Sequence, residues 1–297
     1  MTRRTDRRTV LTGLGALGVA GCGRSPTSAV DVTVFDQDLD LSALEARHGG
    51  RLGLCAHGRK GRVQWRATER FVYCSTFKMY LAAATLLRVQ SGEERLDRVV
   101  PVTRSDMINH APVTEPAIGG TLTIEELMKG TVEVSDNPAA NILIREMGGL
   151  EALRAFYRGI GDTDTRVDRL EPEMNRLDGD KDTITPIQSV ANIQRLLVSS
   201  GTPLNAGNKA LLMRWMVDTP TGMDRIKAGV PAGWTVAHKT GTGGYGPTND
   251  IGVLYPPTGE PIVIAAYYHG TSASTPAQRD AVIAEATRLA LRTLGHG

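Results

Sequence analysis

The order in which hydrophobic periods change along this 297-residue chain constrains its fold more than any other feature. Between Leu52 and Phe71, apolar residues (Leu52, Leu54, Val63, Trp65) alternate with polar ones and glycine turns, the two-residue period of half-buried strands. The period then lengthens. Ser75 to Val89 carries Phe77, Tyr80, Leu81, Ala84 and Leu87 without glycine or proline and stops at Ser91-Gly92, which predicts a helix. Thr123-Ile124-Glu125-Glu126 has the pattern of a capped helix start, and Asn137-Pro138 to Met147 ends at Gly148-Gly149. Further helices are predicted over 150–160, 186–198 and 209–218. After Gly233 the strand period returns in WTVAHKT, DIGVLY and PIVIAAYYH, followed by a helical stretch from Pro276 to Leu294. A sheet must therefore be assembled from both ends of the chain around a helical middle, which is an α+β architecture.

The first 22 residues read as an address. Four arginines precede an apolar run from Val10 to Ala20, which is too short to cross a bilayer of about 30 Å as a helix. Arg7-Arg8 resembles a twin-arginine export signal, and Val19-Ala20-Gly21-Cys22 resembles a bacterial lipobox, in which the cysteine is lipidated and becomes the first residue. The expectation is a signal over 1–21, a membrane anchor on Cys22 and a flexible tether over 22–38. A location on the outer face of the cytoplasmic membrane follows.

That address also explains the charge. The whole chain carries +2, but residues 1–21 contain four arginines and one aspartate, so the remainder carries −1. No basic cluster with interleaved aromatics remains, and a nucleic-acid partner has no electrostatic basis. The histidines have no ligand spacing and the three cysteines no paired spacing, so neither a metal nor another cofactor is expected.

Ser75-Thr76-Phe77-Lys78 opens the first helix, and its i,i+3 spacing places a hydroxyl and an amine on one face, about 5–6 Å apart at Cβ. Alone this is weak, since Ser-x-x-Lys arises about once by chance in such a chain. Three companions sharpen it: Ser135-Asp136-Asn137 before a helix, Glu171-Pro172-Glu173-Met174-Asn175 in a loop, and Lys239-Thr240-Gly241 on a strand. With these four motifs in this order, the chain from about Val34 to Leu294 resembles the class A serine β-lactamases.

The resemblance implies a five-stranded antiparallel sheet flanked by helices, with sheet segments at 39–74 and 217–297. It also implies an all-helical domain inserted over 75–216, the catalytic loop lying around 169–182. It implies a monomeric hydrolase that opens penicillin- and cephalosporin-type rings, a small-molecule substrate class tied to antibiotic resistance. Ser75 would be acylated, activated by Lys78 or by Glu171 through a water, while Ser135 returns a proton to the lactam nitrogen beside Lys239. The main-chain N–H groups of Ser75 and Thr242 would form the oxyanion hole. Glu171, with Asn175, would orient and deprotonate the deacylating water. This carboxylate separates the reading from two rivals, a D-alanyl-D-alanine peptidase or transpeptidase and a sensor that stays acylated.

Thr240, Thr242 and Arg225 are the candidates to hold the substrate carboxylate; the strand position where many relatives place an arginine is Thr248. Asn137 would meet the acylamino side chain. His110 occupies the place of an aromatic gate residue, so its imidazole either stacks on substrate or sits exposed. Where some members pair Cys74 with a second cysteine this chain has Gly243, so Cys74, like Cys55, is read as a small buried hydrophobe. The loop after Asn175 is about two residues shorter than the family pattern. Asp182 is expected to pair with Arg169 across its neck, and Glu171-Pro172 is a candidate cis peptide.

Overall fold

A computed structural model describes residues 35–244 and 246–296. Cys22 and the rest of the signal lie outside them. In chain order the elements begin with β1 (Phe35–Asp38), α1 (Ser42–His48), β2 (Arg51–Gly58), β3 (Gly61–Trp65), β4 (Phe71–Val72) and α2 (Phe77–Ser91). The middle holds β5 (Val99–Pro101), β6 (Thr121–Thr123), α3 (Ile124–Glu133), α4 (Asn137–Met147), α5 (Leu150–Gly159), β7 (Thr183–Ile184), α6 (Pro186–Ile193) and α7 (Ala206–Asp218). The chain closes with α8 (Ile226–Gly229), β8 (Thr235–Thr242), β9 (Pro247–Tyr255), β10 (Ile262–His269) and α9 (Pro276–Thr293).

The main sheet has the order β1-β3-β2-β10-β9-β8, so N-terminal and C-terminal strands meet at the β2–β10 pair. Five of these strands are antiparallel, as expected. The sixth, β1, is a correction: it lies within the stretch read as tether and pairs in parallel with β3, Phe35 opposite Gly61 and Asp38 opposite Gln64. An edge strand needs only one row of main-chain bonds and little burial, so the sequence FDQD carries no apolar alternation to reveal it. The middle is also not wholly helical, because β5 pairs with β6 and β4 with β7.

Alternation along β10 explains why both sheet faces are buried. Ile262, Ile264, Ala266 and Tyr268 join the core under α9, whereas Val263, Ala265 and Tyr267 join the larger core shared with α2 to α7. Each fully buried large side chain contributes about 1.5–3 kcal/mol. Helix α6, although it comes from the middle, packs on β2 and β10. Here Ser189 receives Tyr267 (3.0 Å) and pairs with Tyr80 (2.8 Å), tying α2, α6 and the sheet through one satisfied polar knot.

Local signals set the helix ends. Thr123 and Glu126 form the reciprocal cap of α3, as Thr275 and Gln278 do for α9. Helix α2 ends at Gly92, whose φ of 81° is the left-handed stop glycine favours. Helix α7 begins three residues earlier than the apolar period indicated, because Asn205 caps it by accepting from the Asn208 N–H at 2.9 Å.

Candidate active site

Ser75, the expected nucleophile, sits where the sheet meets α2. A short 3-10 turn, Cys74–Thr76, precedes the helix, and Cys74 holds a left-handed φ of 48°. Thr76 Oγ1 donates to Tyr73 O at 2.8 Å, and Asn249 Nδ2 on β9 donates to Val72 O and Tyr73 O at 2.9 and 3.1 Å. Gly241 on β8 lies against this turn: a Cβ there would stand 2.7 Å from Tyr73 O. Only a bare residue lets the Lys-Thr-Gly strand approach the Tyr73–Thr76 turn so closely.

Lys78, the second residue of α2, is completely buried. Its ammonium donates to Ser135 O at 2.8 Å, Ser135 Oγ at 3.3 Å and Asn137 Oδ1 at 2.5 Å, and stands 3.1 Å from Glu171 Oε1. Carbonyl and carboxylate oxygens only accept, so these contacts fit a charged lysine. Burial pulls its pKa below the ordinary lysine value, and Glu171 pushes back. Ser135 and Asn137 are delivered by Asp136, the buried N-cap of α4, whose carboxylate accepts from Ala139 N (2.8 Å), Val113 N (2.8 Å), Thr114 N (3.0 Å) and Thr114 Oγ1 (2.9 Å).

Glu171 closes the triangle. Its Oε1 accepts from Ser75 Oγ at 3.4 Å, and Asn175 Nδ2 donates to its Oε2. Asn141, absent from the sequence reading, clamps the Glu171 main chain from both sides, N to Oδ1 at 3.0 Å and Nδ2 to O at 2.9 Å. Its position one helical turn after Asn137 was the available signal. The Glu171-Pro172 bond is cis. Across the loop neck, Asp182 pairs with Arg169 Nε at 2.5 Å and accepts the N–H groups of Asp168 and Arg169 at 2.8 and 3.0 Å.

The opposite wall is β8. Lys239, completely buried, donates to Ser135 Oγ at 3.2 Å and Thr240 O at 2.9 Å. Its pKa lies well below the ordinary lysine value because of burial and then the charge of Lys78, with Asp250 pulling the other way. Thr240 pairs with the hydroxyl of Thr221 at 3.0 Å, a second residue the sequence reading missed. Arg225 directs Nη2 to Thr242 Oγ1 at 2.8 Å and Nη1 to Gly241 O and Asn249 O at 3.1 and 2.9 Å, while Nε meets Asp280 at 2.8 Å. Thr248, buried behind, accepts from Arg279 Nε of α9 at 3.0 Å.

Between the walls lies a cavity of about 520 Å³ whose lining includes Ser75, Ser135, Asn137, Asn175, Arg225 and Thr240, with Thr242 and His110 at its edges. His110 is exposed, with a left-handed φ of 62°, and its Nε2 meets Val134 O at 2.8 Å, so the imidazole is anchored to main chain. Cys55 and Cys74 are free and buried, and a Cβ on Gly243 would stand 3.1 Å from Cys74 Sγ. Burial pushes the Cys55 thiol up to about 12 and raises Cys74 further, which makes both poor nucleophiles. Among the described residues no group of three or more His, Cys, Asp or Glu is arranged to hold a metal ion.

Residues 38–294 match the family model described as the beta-lactamase enzyme family. Beta-lactamase FAR-1 of Nocardia farcinica is 36% identical over 306 residues, covering 98% of this chain and 97% of its own. Beta-lactamase CTX-M-8 of Citrobacter amalonaticus is 38% identical over 255 residues, covering 84% and 87%. Among solved structures, an ancestral class A beta-lactamase superposes with a TM-score of 0.81 at 45% identity, covering 85% of this chain and 98% of that one. The class A beta-lactamase from Mycobacterium abscessus gives 0.81 at 42%, covering 86% and 98%.

Proposed function

The chain belongs to the class A β-lactamase family, and from that premise we propose how its residues carry out the reaction. It is a hydrolase that opens the β-lactam ring of penicillin- and cephalosporin-type antibiotics and so serves antibiotic resistance. In our reading Ser75 Oγ attacks the lactam carbonyl and passes its proton to Glu171, the carboxylate already 3.4 Å away. Lys78, spending its donors on Glu171, Asn137 and Ser135, acts as the fixed cation of that step. The tetrahedral oxyanion is met by the N–H groups of Ser75 and Thr242. The C–N bond then breaks, Ser135 Oγ gives its proton to the leaving nitrogen, and Lys78 restores it and is itself reprotonated by Glu171 at 3.1 Å, leaving an ester on Ser75 and Glu171 again a carboxylate.

In the second half Glu171, its Oε2 held by Asn175, takes a proton from water. The hydroxide attacks the ester, and the proton returns to Ser75 Oγ. Thr240, Thr242, Arg225 and Lys239 hold the substrate carboxylate, Asn137 meets the acylamino group, and His110 stands at the rim. One observation carries the reading: a single buried carboxylate reaches the nucleophile and Lys78 with one oxygen and an orienting amide with the other. A peptidase or covalent sensor has no need of it. The test is a chromogenic cephalosporin with wild type and Glu171→Ala, read by absorbance and intact mass. Expected are steady turnover in the wild type and, in the variant, turnover lower by a factor on the order of 10³, with any acyl group that forms on Ser75 left unhydrolysed. A one-equivalent burst and then silence in the wild type sinks the assignment of Glu171.

The same reading places the enzyme, as a monomer, outside the cytoplasmic membrane, tethered by a lipid on Cys22. Among the described residues no helix is long and apolar enough to cross a membrane. Replacement Cys22→Ala should move activity from the membrane pellet to the soluble exported fraction; activity that stays in the pellet disproves the anchor.

A further inference from the structure

His238 and Lys239 are consecutive on β8, so their side chains leave opposite faces of the strand, Lys239 into the active site and His238 behind it. His238 is completely buried, and so is Asp250 on β9. The imidazole Nδ1 stands 3.0 Å from both carboxylate oxygens of Asp250. Asp250 also accepts the N–H of Ile226 at 3.2 Å, the first residue of α8 and the one directly after Arg225. On the adjoining rung of the ladder Gly241 faces Asn249, and their carbonyls are the two that receive Arg225 Nη1. The main chain at Arg225 and its guanidinium are thus gripped by neighbouring rungs of the same strand pair.

The surroundings are fitted to this pair. Gly252 faces His238 across the ladder, and a Cβ on it would stand 2.8 Å from His238 Cα and 2.9 Å from its Cβ. Among the described residues His238 Nε2 meets no hydrogen-bond partner, so Asp250 is the side chain that holds the imidazole. Four charged groups bear on Lys239: Lys78 from α2, Arg225 from the segment before α8, Glu171 from the catalytic loop and Asp250 from β9. The first two disfavour its charge and the last two favour it. Glu171 is already engaged by Lys78 at 3.1 Å, which leaves Asp250 as the carboxylate behind Lys239.

We propose that the His238–Asp250 pair is the positioning device of the substrate-carboxylate site, supporting the charge of Lys239 and aiming Arg225 into the cavity. The inference rests on the carboxylate-binding reading of Lys239 and Arg225 given above. Neither residue touches substrate, so their removal must act through Lys239 and Arg225. The experiment compares wild type, Asp250→Asn and His238→Asn on a chromogenic cephalosporin and on its methyl ester, with thermal melts and pH profiles of kcat/KM. Asp250→Asn should raise KM for the acid about tenfold, the scale of one charge-assisted contact, with kcat little changed. Its alkaline limb should move to lower pH, because Lys239 loses the neighbour that keeps it protonated. The ester, having no carboxylate to hold, should lose nothing further. His238→Asn, which keeps a donor for Asp250, should shift both readouts the same way by less, and it carries the comparison if Asp250→Asn does not fold. Equal losses on acid and ester, or an unmoved alkaline limb, reduce the pair to packing and overturn the proposal. A wild type that turns over acid and ester alike overturns instead the carboxylate reading on which it rests.

Discussion

The two walls of the cavity each bury one lysine completely, and both lysines reach Ser135 Oγ, at 3.3 Å from Lys78 and 3.2 Å from Lys239. Their company differs. Lys78, on the helical wall, has a carboxylate at 3.1 Å and an amide and a carbonyl oxygen besides. Lys239, on the strand wall, has a hydroxyl and one main-chain carbonyl, and among the described residues no carboxylate lies within ion-pair distance of it. A buried cation already neutralised is suited to relay protons, because its charge is balanced before substrate arrives. A buried cation left unbalanced awaits an anion from outside, and in the reading proposed above the substrate carboxylate supplies it.

The widest separation between the walls should appear in paired truncations. Lys78→Ala is expected to lower kcat by about 10²–10⁴ with KM changed little, the scale of a lost proton relay. Lys239→Ala should act mainly on KM, by about 10–100-fold, the scale of one or two charge-assisted contacts. If both variants fall in kcat alone, the two lysines do the same work and the comparison fails. Next comes pH. The Lys239 pKa lies below the ordinary lysine value, and an anion stabilises its charged form. KM should therefore rise as pH climbs through that lowered value, and a KM flat across the alkaline range would place carboxylate binding elsewhere. The smallest effect tests the helical wall alone. Asp182→Asn weakens the neck of the catalytic loop and should cost about 3 kcal/mol by thermal or urea melts, as breaking one buried pair does. It should lower kcat while leaving KM for the carboxylate in place; unchanged stability and turnover would show that the Arg169 pairing does not hold the loop.

Much of this site was legible in the sequence because its residues sit at fixed spacings on regular elements. Ser75 with Lys78, and Ser135 with Asn137, are set by a helix start and an N-cap, and Lys239 by a strand that must pass a glycine to reach the nucleophile. The sheet was legible at its centre, where β10 alternates between two cores, and illegible at its edge, where β1 has little to bury. Asn141 and Thr221 were missed because neither stands in a motif: one clamps main chain brought from 30 residues away, the other meets Thr240 only once the chain has turned back on β8. The His238–Asp250 contact was hidden for a related reason, since its meaning depends on which face of β8 each neighbour leaves by.

The β2–β10 pair sets a clock for biosynthesis. Ala56 lies opposite Ile264, so β2 has to wait for about 200 further residues before its partner exists. At translation rates of about 5–20 residues per second that is roughly 10–40 s during which its apolar strand lacks one of its two neighbours. A chain at any point within that interval has an open sheet. Only after its last quarter has been synthesised can the molecule exist as a closed body.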